Sequence, residues 1–299
     1  MDYHDDSKVK RFIKLIISMG FYFCTSAKEV ILWLARRKSA ATCVVLHYHG
    51  IAPEYRALFA RQMDILSRLT APIASDNQNP LQPGKRYAAV TFDDGFLNVA
   101  ENAVPELVRT KIPATIFVVA DLLGASATWG TLGSDCIAEE RLISAEQLTG
   151  LPADLILIGS HTLSHPWLPS ISEEQARIEV AASRDKLGKL LNREIRLFSF
   201  PYGALNDRLI DLCRDAGYER VFTILPRLAF ADPREFVTGR VIVEPTDWVL
   251  EFRLKLLGAY RWLPSAFALK QMLFSFLPIK QKAAYAPEEN RLMRTREWL

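Results

Sequence analysis

Between residues 43 and 243, short apolar runs alternate with amphipathic stretches, and each run ends at a turn or a helix start. Cys43-Val44-Val45-Leu46-His47-Tyr48 is the first run of strand length. Leu58, Phe59, Met63, Leu66 and Leu69 then recur at helical spacing, which predicts an amphipathic helix over Arg56–Leu69. Further strands are predicted at 88–92, 155–158, 195–200, 219–224 and 236–243, and the run at 114–119 is of the continuous apolar kind buried on both faces of a parallel sheet. Helices are predicted at 97–110 and 206–216, the second closed by Gly217. Ser144-Ala145-Glu146-Gln147 and Ser172-Glu173-Glu174-Gln175 carry the pattern that caps a helix start. Residues 71–86 read as a polar surface connection, and 121–143, with Trp129, as an irregular loop over a site. Such alternation predicts an α/β fold with a parallel (β/α) barrel, in which chemistry sits at the carboxyl ends of the strands.

The pattern changes at both ends. Residues 11–24 are apolar except for Lys14, and 31–35 are apolar before Arg36-Arg37-Lys38. Neither run reaches the ~20 apolar residues of a membrane span. A secretory signal would need a small-residue cleavage site that is not evident here, so a basic, aromatic-rich helix lying in a membrane interface fits better. A helix simply packed on the barrel is the alternative. From Trp248 onward, Phe252, Leu256, Leu257, Trp262, Phe267 and Leu273 are interspersed with Arg253, Lys255 and Arg261. The expected organisation is therefore a basic helical extension at 1–40, a barrel at 41–248, and a second basic amphipathic extension with a polar tail at 249–299. Residues 1–38 hold eight Lys/Arg against four Asp/Glu, and 249–299 hold nine against four. With a total of +3, the body between them carries −6. Basic residues confined to apolar ends predict peripheral membrane contact through both termini and argue against nucleic-acid binding. Four cysteines without CxxC spacing, Cys24, Cys43, Cys136 and Cys213, predict buried free thiols. The expected location is cytoplasmic, peripheral on the inner face of a membrane.

Two stretches carry candidate chemistry. Asp93-Asp94-Gly95 ends an apolar strand, and adjacent carboxylates there are costly unless a cation takes up one charge. An Asp helix cap in a plain turn is the alternative. His161 and His165 follow the strand at 155–158, four residues apart, and converge on one ion if the segment makes a helical turn. With Asp94 they compose a two-His, one-carboxylate set with open positions, suited to a catalytic metal.

Thr91-Phe92-Asp93-Asp94-Gly95, Ser160-His161-Thr162-Leu163-Ser164-His165 and Phe198-Ser199-Phe200-Pro201-Tyr202-Gly203 resemble three motifs of the polysaccharide deacetylases, the NodB-homology or carbohydrate esterase family 4 enzymes. Leu46-His47-Tyr48-His49-Gly50-Ile51 resembles a signature of their exopolysaccharide-modifying branch. The resemblance implies a distorted (β/α) barrel and metal-dependent removal of N-acetyl groups from amino sugars of a polysaccharide or lipid-linked glycan. It implies a divalent ion, expected to be zinc, on Asp94, His161 and His165, with Asp93 as general base. The Tyr202 N–H, after Pro201, would stabilise the oxyanion. No histidine follows His165, so His49 takes the role of general acid, with His47 as a buried structural residue. Pro201, Tyr202, Arg240 and Trp129 are expected to bind substrate; Glu244 and Asp247 either orient the acid or, the reading favoured, serve at the surface or as helix caps. Ser199 stands where the family carries an arginine, so Asp93 would lack that partner unless Arg240, at a strand end, replaces it. Two alternatives are a catalytically weak glycan-binding scaffold of an envelope polysaccharide assembly complex, and a deformylase or deacetylase of a small lipid-linked sugar.

Overall fold

The computed structural model describes residues 3–127, 129 and 140–275. Helix α1 (Tyr3–Leu34) precedes strand β1 (Thr42–Tyr48), helix α2 (Arg56–Leu69), the two-residue β2 (Ala71–Pro72) and β3 (Arg86–Phe92). A π-helical turn, Val99–Ala103, opens α3 (Val104–Thr110), so the helix expected at 97–110 starts in a wider coil. Then come β4 (Ala114–Val118), α4 (Ala145–Thr149), β5 (Ile156–Ser160), α5 (Glu173–Leu191), β6 (Leu197–Ser199), α6 (Asp207–Asp215) and β7 (Arg220–Phe222). The strand expected at 236–243 is two short ones, β8 (Val237–Thr238) and β9 (Val241–Ile242), followed by α7 (Val249–Leu256) and α8 (Leu263–Ser275).

The pairings between these strands are parallel, in the order β8-β7-β6-β5-β4-β3-β1-β9, with β2 beside β3. The two outermost strands of this path, β8 and β9, are separated by only Gly239 and Arg240. Three virtual Cα bonds of 3.8 Å span at most about 11 Å, so the sheet must curl until its edges meet. That requirement makes it a distorted barrel, and it places Arg240 at the seam.

The period of two along each strand sorts the side chains. Val44, Leu46, Ala88, Val90, Ile116, Ile156, Phe198 and Val221 face outward, packing in the main core beneath the helices. Cys43, Val45, Ala89, Phe117, Leu197 and Phe222 point inward and fill the barrel. Gly159 faces the same interior because a Cβ there would lie 2.4 Å from the Phe117 ring. Continuing these inward rows toward the carboxyl ends gives His47, Thr91, Asp93, His161 and Ser199, all nearly inaccessible to solvent. The barrel is thus apolar at its base and polar at its mouth.

The two apolar runs of the N-terminus form a single helix of 32 residues. Its stretch Val9–Leu32 is long and apolar enough to cross a membrane by length and composition, contrary to the expectation from two short runs. One side of α1 packs through Leu15, Met19 and Tyr22 on Leu254, Tyr260 and Leu263. The C-terminal segment is not detached either: Phe252 and Leu256 lie in the main core. Of the cysteines, Cys43 and Cys213 are buried and free as expected, whereas Cys24 is free but exposed on α1. Cys136, Phe276, Leu277 and the polar tail lie outside the described residues.

Candidate active site and metal centre

Asp93 and Asp94 follow the end of β3, where Asp94 and Gly95 both take left-handed backbone angles, φ 69° and 74°, and both carboxylates line one cleft. A Cβ on Gly95 would come 2.8 Å from Val118 Cγ1, so only glycine fits this turn unstrained. The segment after β5 is not the helical turn expected from the spacing of its histidines. Thr162 and His165 have φ of 71° and 62°, and the Thr162 hydroxyl accepts the His165 N–H at 3.0 Å. From α5, the Glu179 carboxylate accepts the N–H groups of Leu163 (2.8 Å) and Ser164 (3.0 Å) and the Ser164 hydroxyl (2.6 Å). This loop carries His161 Nε2 to 3.5 Å and His165 Nε2 to 3.1 Å from Asp94 Oδ1.

The three groups together fit a divalent metal. Their ligand atoms lie within 4.8 Å of one another, and Asp94 Oδ1 is a buried oxygen with no aligned hydrogen-bond donor among the described residues. His161 Nδ1 sits 2.8 Å from the Ser199 carbonyl, a bond that requires the proton on Nδ1 and leaves the Nε2 lone pair facing Asp94. Burial alone would raise the Asp94 pKa, but the two imidazoles beside it hold it below the ordinary carboxylate range. Burial would likewise depress His161, yet the charges of Asp93 and Asp94 push it up. Two nitrogens and one carboxylate oxygen suit a first-row divalent ion with open positions.

Asp93 stands beside this set, with Oδ2 4.0 Å from His161 Nε2. It does not lack an arginine. Arg240 reaches from the barrel seam and donates from Nη1 to Oδ1 and from Nη2 to Oδ2, both at 2.7 Å. Its remaining donors go to Ser199 Oγ (2.8 Å), Thr91 Oγ1 (3.3 Å) and the Thr223 carbonyl (3.2 Å), which satisfies all five N–H groups. Ser199 Oγ in turn donates to Asp93 Oδ2 at 3.0 Å, so the small residue in the arginine's place both makes room for Arg240 and bonds its partner. Burial works to raise Asp93, but the Arg240 charge overrides it and holds the carboxyl well below its usual range. Arg240 is fully buried and its fork is occupied. The expectation that it binds substrate is therefore corrected: it serves Asp93.

The cleft above these groups is lined by His47, His49, Trp129, Tyr202, Gly203 and Ile224 besides the four motif residues. It holds about 20 Å³ of water-sized space, room for about one water. Trp129 stacks on His165, with ring centroids 4.2 Å apart and planes at 17°, and Tyr202 meets the same imidazole edge-on at 4.7 Å. Tyr202 takes φ 59° after Pro201. The tight turn uses the N–H groups of Gly203 and Ala204, not that of Tyr202.

His49 is half-buried in the cleft wall, its ring 4.6 Å from that of His47. His47 is more than a packing residue, since Nε2 lies 3.1 Å from Asp93 Oδ2. Burial and Arg240 push its pKa down to about 3, so it is neutral at physiological pH. Asp247 is turned away from the acid. It holds Lys255 at 2.7 Å and accepts the Glu244 N–H at 3.3 Å, in a network with Arg11 and Glu251 that ties α1 to α7. Glu244 is closer to the chemistry: burial raises its pKa, and the charge of His49 works against that rise.

Sequence reasoning missed three contributors: His47, Ser199 as a hydrogen-bond bridge, and Glu179. For His47 a signal existed, because it shares inward parity with Cys43 and Val45 and stands in register with Thr91. Glu179 was unmarked, being one more polar residue on an amphipathic helix. Glu179→Gln should weaken metal affinity roughly 10–100-fold, as loss of support for a ligand loop commonly does, with the fold retained. Calorimetric titration of the metal-free protein measures this, and unchanged affinity would contradict it.

Residues 81–221 match the family model described as polysaccharide deacetylase. Poly-beta-1,6-N-acetyl-D-glucosamine N-deacetylase of Staphylococcus aureus is 25% identical over 170 residues, covering 53% of this chain and 55% of that protein. YxkH of Bacillus subtilis is 25% identical over 164 residues, covering 55% and 54%. The chain thus spans about half the length of the curated relatives it matches. Among solved structures, IcaB from Ammonifex degensii superposes with a TM-score of 0.61 at 27% identity, over 74% of this chain and 98% of that one. With the curled parallel sheet and the Asp/His/His group at its mouth, these likenesses give residues 81–221 of the chain as a domain similar to the polysaccharide deacetylases of NodB homology.

Proposed function

We propose that this cleft hydrolyses the N-acetyl group of amino-sugar residues in a polysaccharide or lipid-linked glycan. The observation that carries the reading is one carboxylate held beside, not within, a metal-ligand set: Asp93 next to Asp94, His161 and His165. Those three would hold zinc, which supplies Lewis acidity toward the acetyl oxygen and acidifies water when bound. Asp93 is kept ionised by Arg240 and so can accept a proton from the attacking water. The carbonyl carbon gains a C–O bond, the C–N bond breaks, and the amine leaves with a proton from His49. His47, neutral and buried, is not that donor. The Tyr202 N–H, which the turn after Pro201 does not use, would stabilise the oxygen on which negative charge develops, and Tyr202 and Trp129 in the cleft lining, with Pro201 before them, would contact the sugar.

The glycan class is supported by the relative that acts, by its name, on poly-beta-1,6-N-acetyl-D-glucosamine. Three free thiols among the described residues and the basic ends support a place on the inner face of a membrane, in peripheral contact. The scaffold alternative drew on the missing arginine, and Arg240 removes that ground.

Acetate release from N-acetylglucosamine oligomers tests the reading. Asp93→Asn should lower turnover about 10²–10⁴-fold while leaving bound metal in place. Unchanged turnover would refute Asp93 as the base, and no acetate from any acylated amino sugar would refute the hydrolase.

A further inference from the structure

The outer side of α1 is an unbroken apolar stripe. Val9, Phe12, Ile13, Ile16, Ile17, Phe23, Val30, Ile31 and Leu34 are each 44–68% exposed, and Gly20 and Ala27 continue the same face. At 1.5 Å per residue the stripe is about 38 Å long. Lone exposed hydrophobic residues need no explanation, but a contiguous patch of this extent does.

The opposite side of α1 is fixed to the body along its length. Arg11 pairs with Glu251 at 2.6 Å and bonds the Thr246 carbonyl at 3.1 Å, just past β9 at the barrel mouth. Ser18 accepts the Trp262 indole N–H at 2.9 Å. Glu29 pairs with Arg86 at 2.7 Å, at the base where β3 begins. α1 therefore runs alongside the barrel wall, from mouth to base, with its apolar stripe turned outward. This docking forbids a membrane crossing: the contacts from Arg11 to Glu29 fall within Val9–Leu32, so a spanning α1 would drag Glu251, Asp247 and Lys255 into hydrocarbon.

We infer that α1 is an in-plane membrane anchor, whose outer stripe sinks into the interface of an anionic bilayer and lays the barrel axis parallel to the membrane. Charge supports this occupant. Exposed Lys10, Lys28, Arg36, Arg37 and Lys38 flank the stripe, while the body between residues 39 and 248 carries −6. An anionic surface attracts the first and repels the second, which turns this face to the lipid. The cleft then opens sideways at headgroup level, near the α1 N-terminal half, instead of facing down into the bilayer or straight out from it. The inference rests on the peripheral contact proposed above and assigns it to one face.

Co-sedimentation of the full chain with phosphatidylcholine/phosphatidylglycerol vesicles tests it, with pure phosphatidylcholine as control. Wild type should bind the anionic vesicles at least 10-fold more tightly, and Phe12→Glu/Ile16→Glu should cut that binding at least 100-fold while acetate release from soluble oligomers is unchanged. Environment-sensitive labels placed in turn at Ile13→Cys, the native Cys24 and Ile31→Cys should report one shallow depth against brominated lipids.

Absence of vesicle binding overturns the peripheral contact and the anchor together. Binding that survives the double substitution keeps the contact but overturns α1 as its site. Depth that increases toward the middle label overturns the in-plane geometry in favour of a span. Dimerisation lost in the double variant, without vesicle binding, gives the stripe to a second copy. Vesicle binding without acetate release leaves the anchor standing and sinks only the hydrolase reading.

Discussion

Arg240→Met should lower the stability of the folded chain by about 3–5 kcal/mol at pH 7, the usual cost of removing one partner of a buried ion pair. The pair is fully desolvated: Arg240 is inaccessible and Asp93 nearly so, with two 2.7 Å bonds between them. Methionine fills part of the space but leaves Asp93 with only the Ser199 hydroxyl and the neutral His47 for partners.

The pH dependence should change sign with it. In the parent, Asp93 titrates below its unfolded value, so its stabilising contribution is complete above that value and is lost as pH falls through the folded one. Without Arg240, burial is the dominant influence and lifts the folded pKa above the unfolded one. The carboxylate then costs stability at neutral pH, and acid relieves the cost. Urea unfolding at pH 7 and pH 5 measures both effects, and Arg240→Met/Asp93→Asn should recover much of the loss, because the stranded charge is gone. A single variant within 0.5 kcal/mol of the parent would mean that the pair is not what holds the barrel mouth together.

The same residue shows where the sequence stopped being legible. Parallel strands, their carboxyl-end motifs and the convergence of Asp94, His161 and His165 follow from local runs and spacings, and the structure brings those three together. The reason expected for the convergence was wrong, however. A helical turn was read from the four-residue spacing, whereas two left-handed residues and the Glu179 carboxylate do the work. Glu179 lies 14 residues beyond His165, and nothing in its own helix marks it.

Arg240 was visible as a strand-end arginine, but its role depends on barrel closure. Reading 236–243 as one strand hid the crossing from β8 to β9 that carries the guanidinium over the interior. The N-terminal extension reads as two apolar runs, 11–24 and 31–35, because Thr25, Ser26, Lys28 and Glu29 lie between them. Hydroxyl residues are poor helix formers in isolation, but Thr25 Oγ1 bonds back to the carbonyls of Phe21 and Tyr22, and packing on α7 and α8 carries the helix through.

Asp94→Asn should abolish metal-linked stabilisation and turnover together, and its contrast with Asp93→Asn separates the two neighbouring carboxylates. A ligand that binds only the folded state stabilises it by RT ln(1 + [L]/Kd), or about 2.7 kcal/mol when free metal is 100-fold above Kd. For a chain of this size the melting temperature should then rise by several degrees. The amide of asparagine is nearly the same shape as the carboxylate, so the barrel survives, but it brings no negative charge to the ion. It also presents N–H donors where His161 Nε2, with its lone pair facing Asp94, lies 3.5 Å away. Added zinc should therefore leave the melting temperature of Asp94→Asn unmoved, and acetate release should fall at least as far as in Asp93→Asn, since the Lewis acid is lost and not only the base. Asp93→Asn, whose altered group is no ligand, should keep the full zinc-dependent rise. Equal zinc shifts in both variants would take Asp94 out of the metal site, and a shift lost in both would put Asp93 into it.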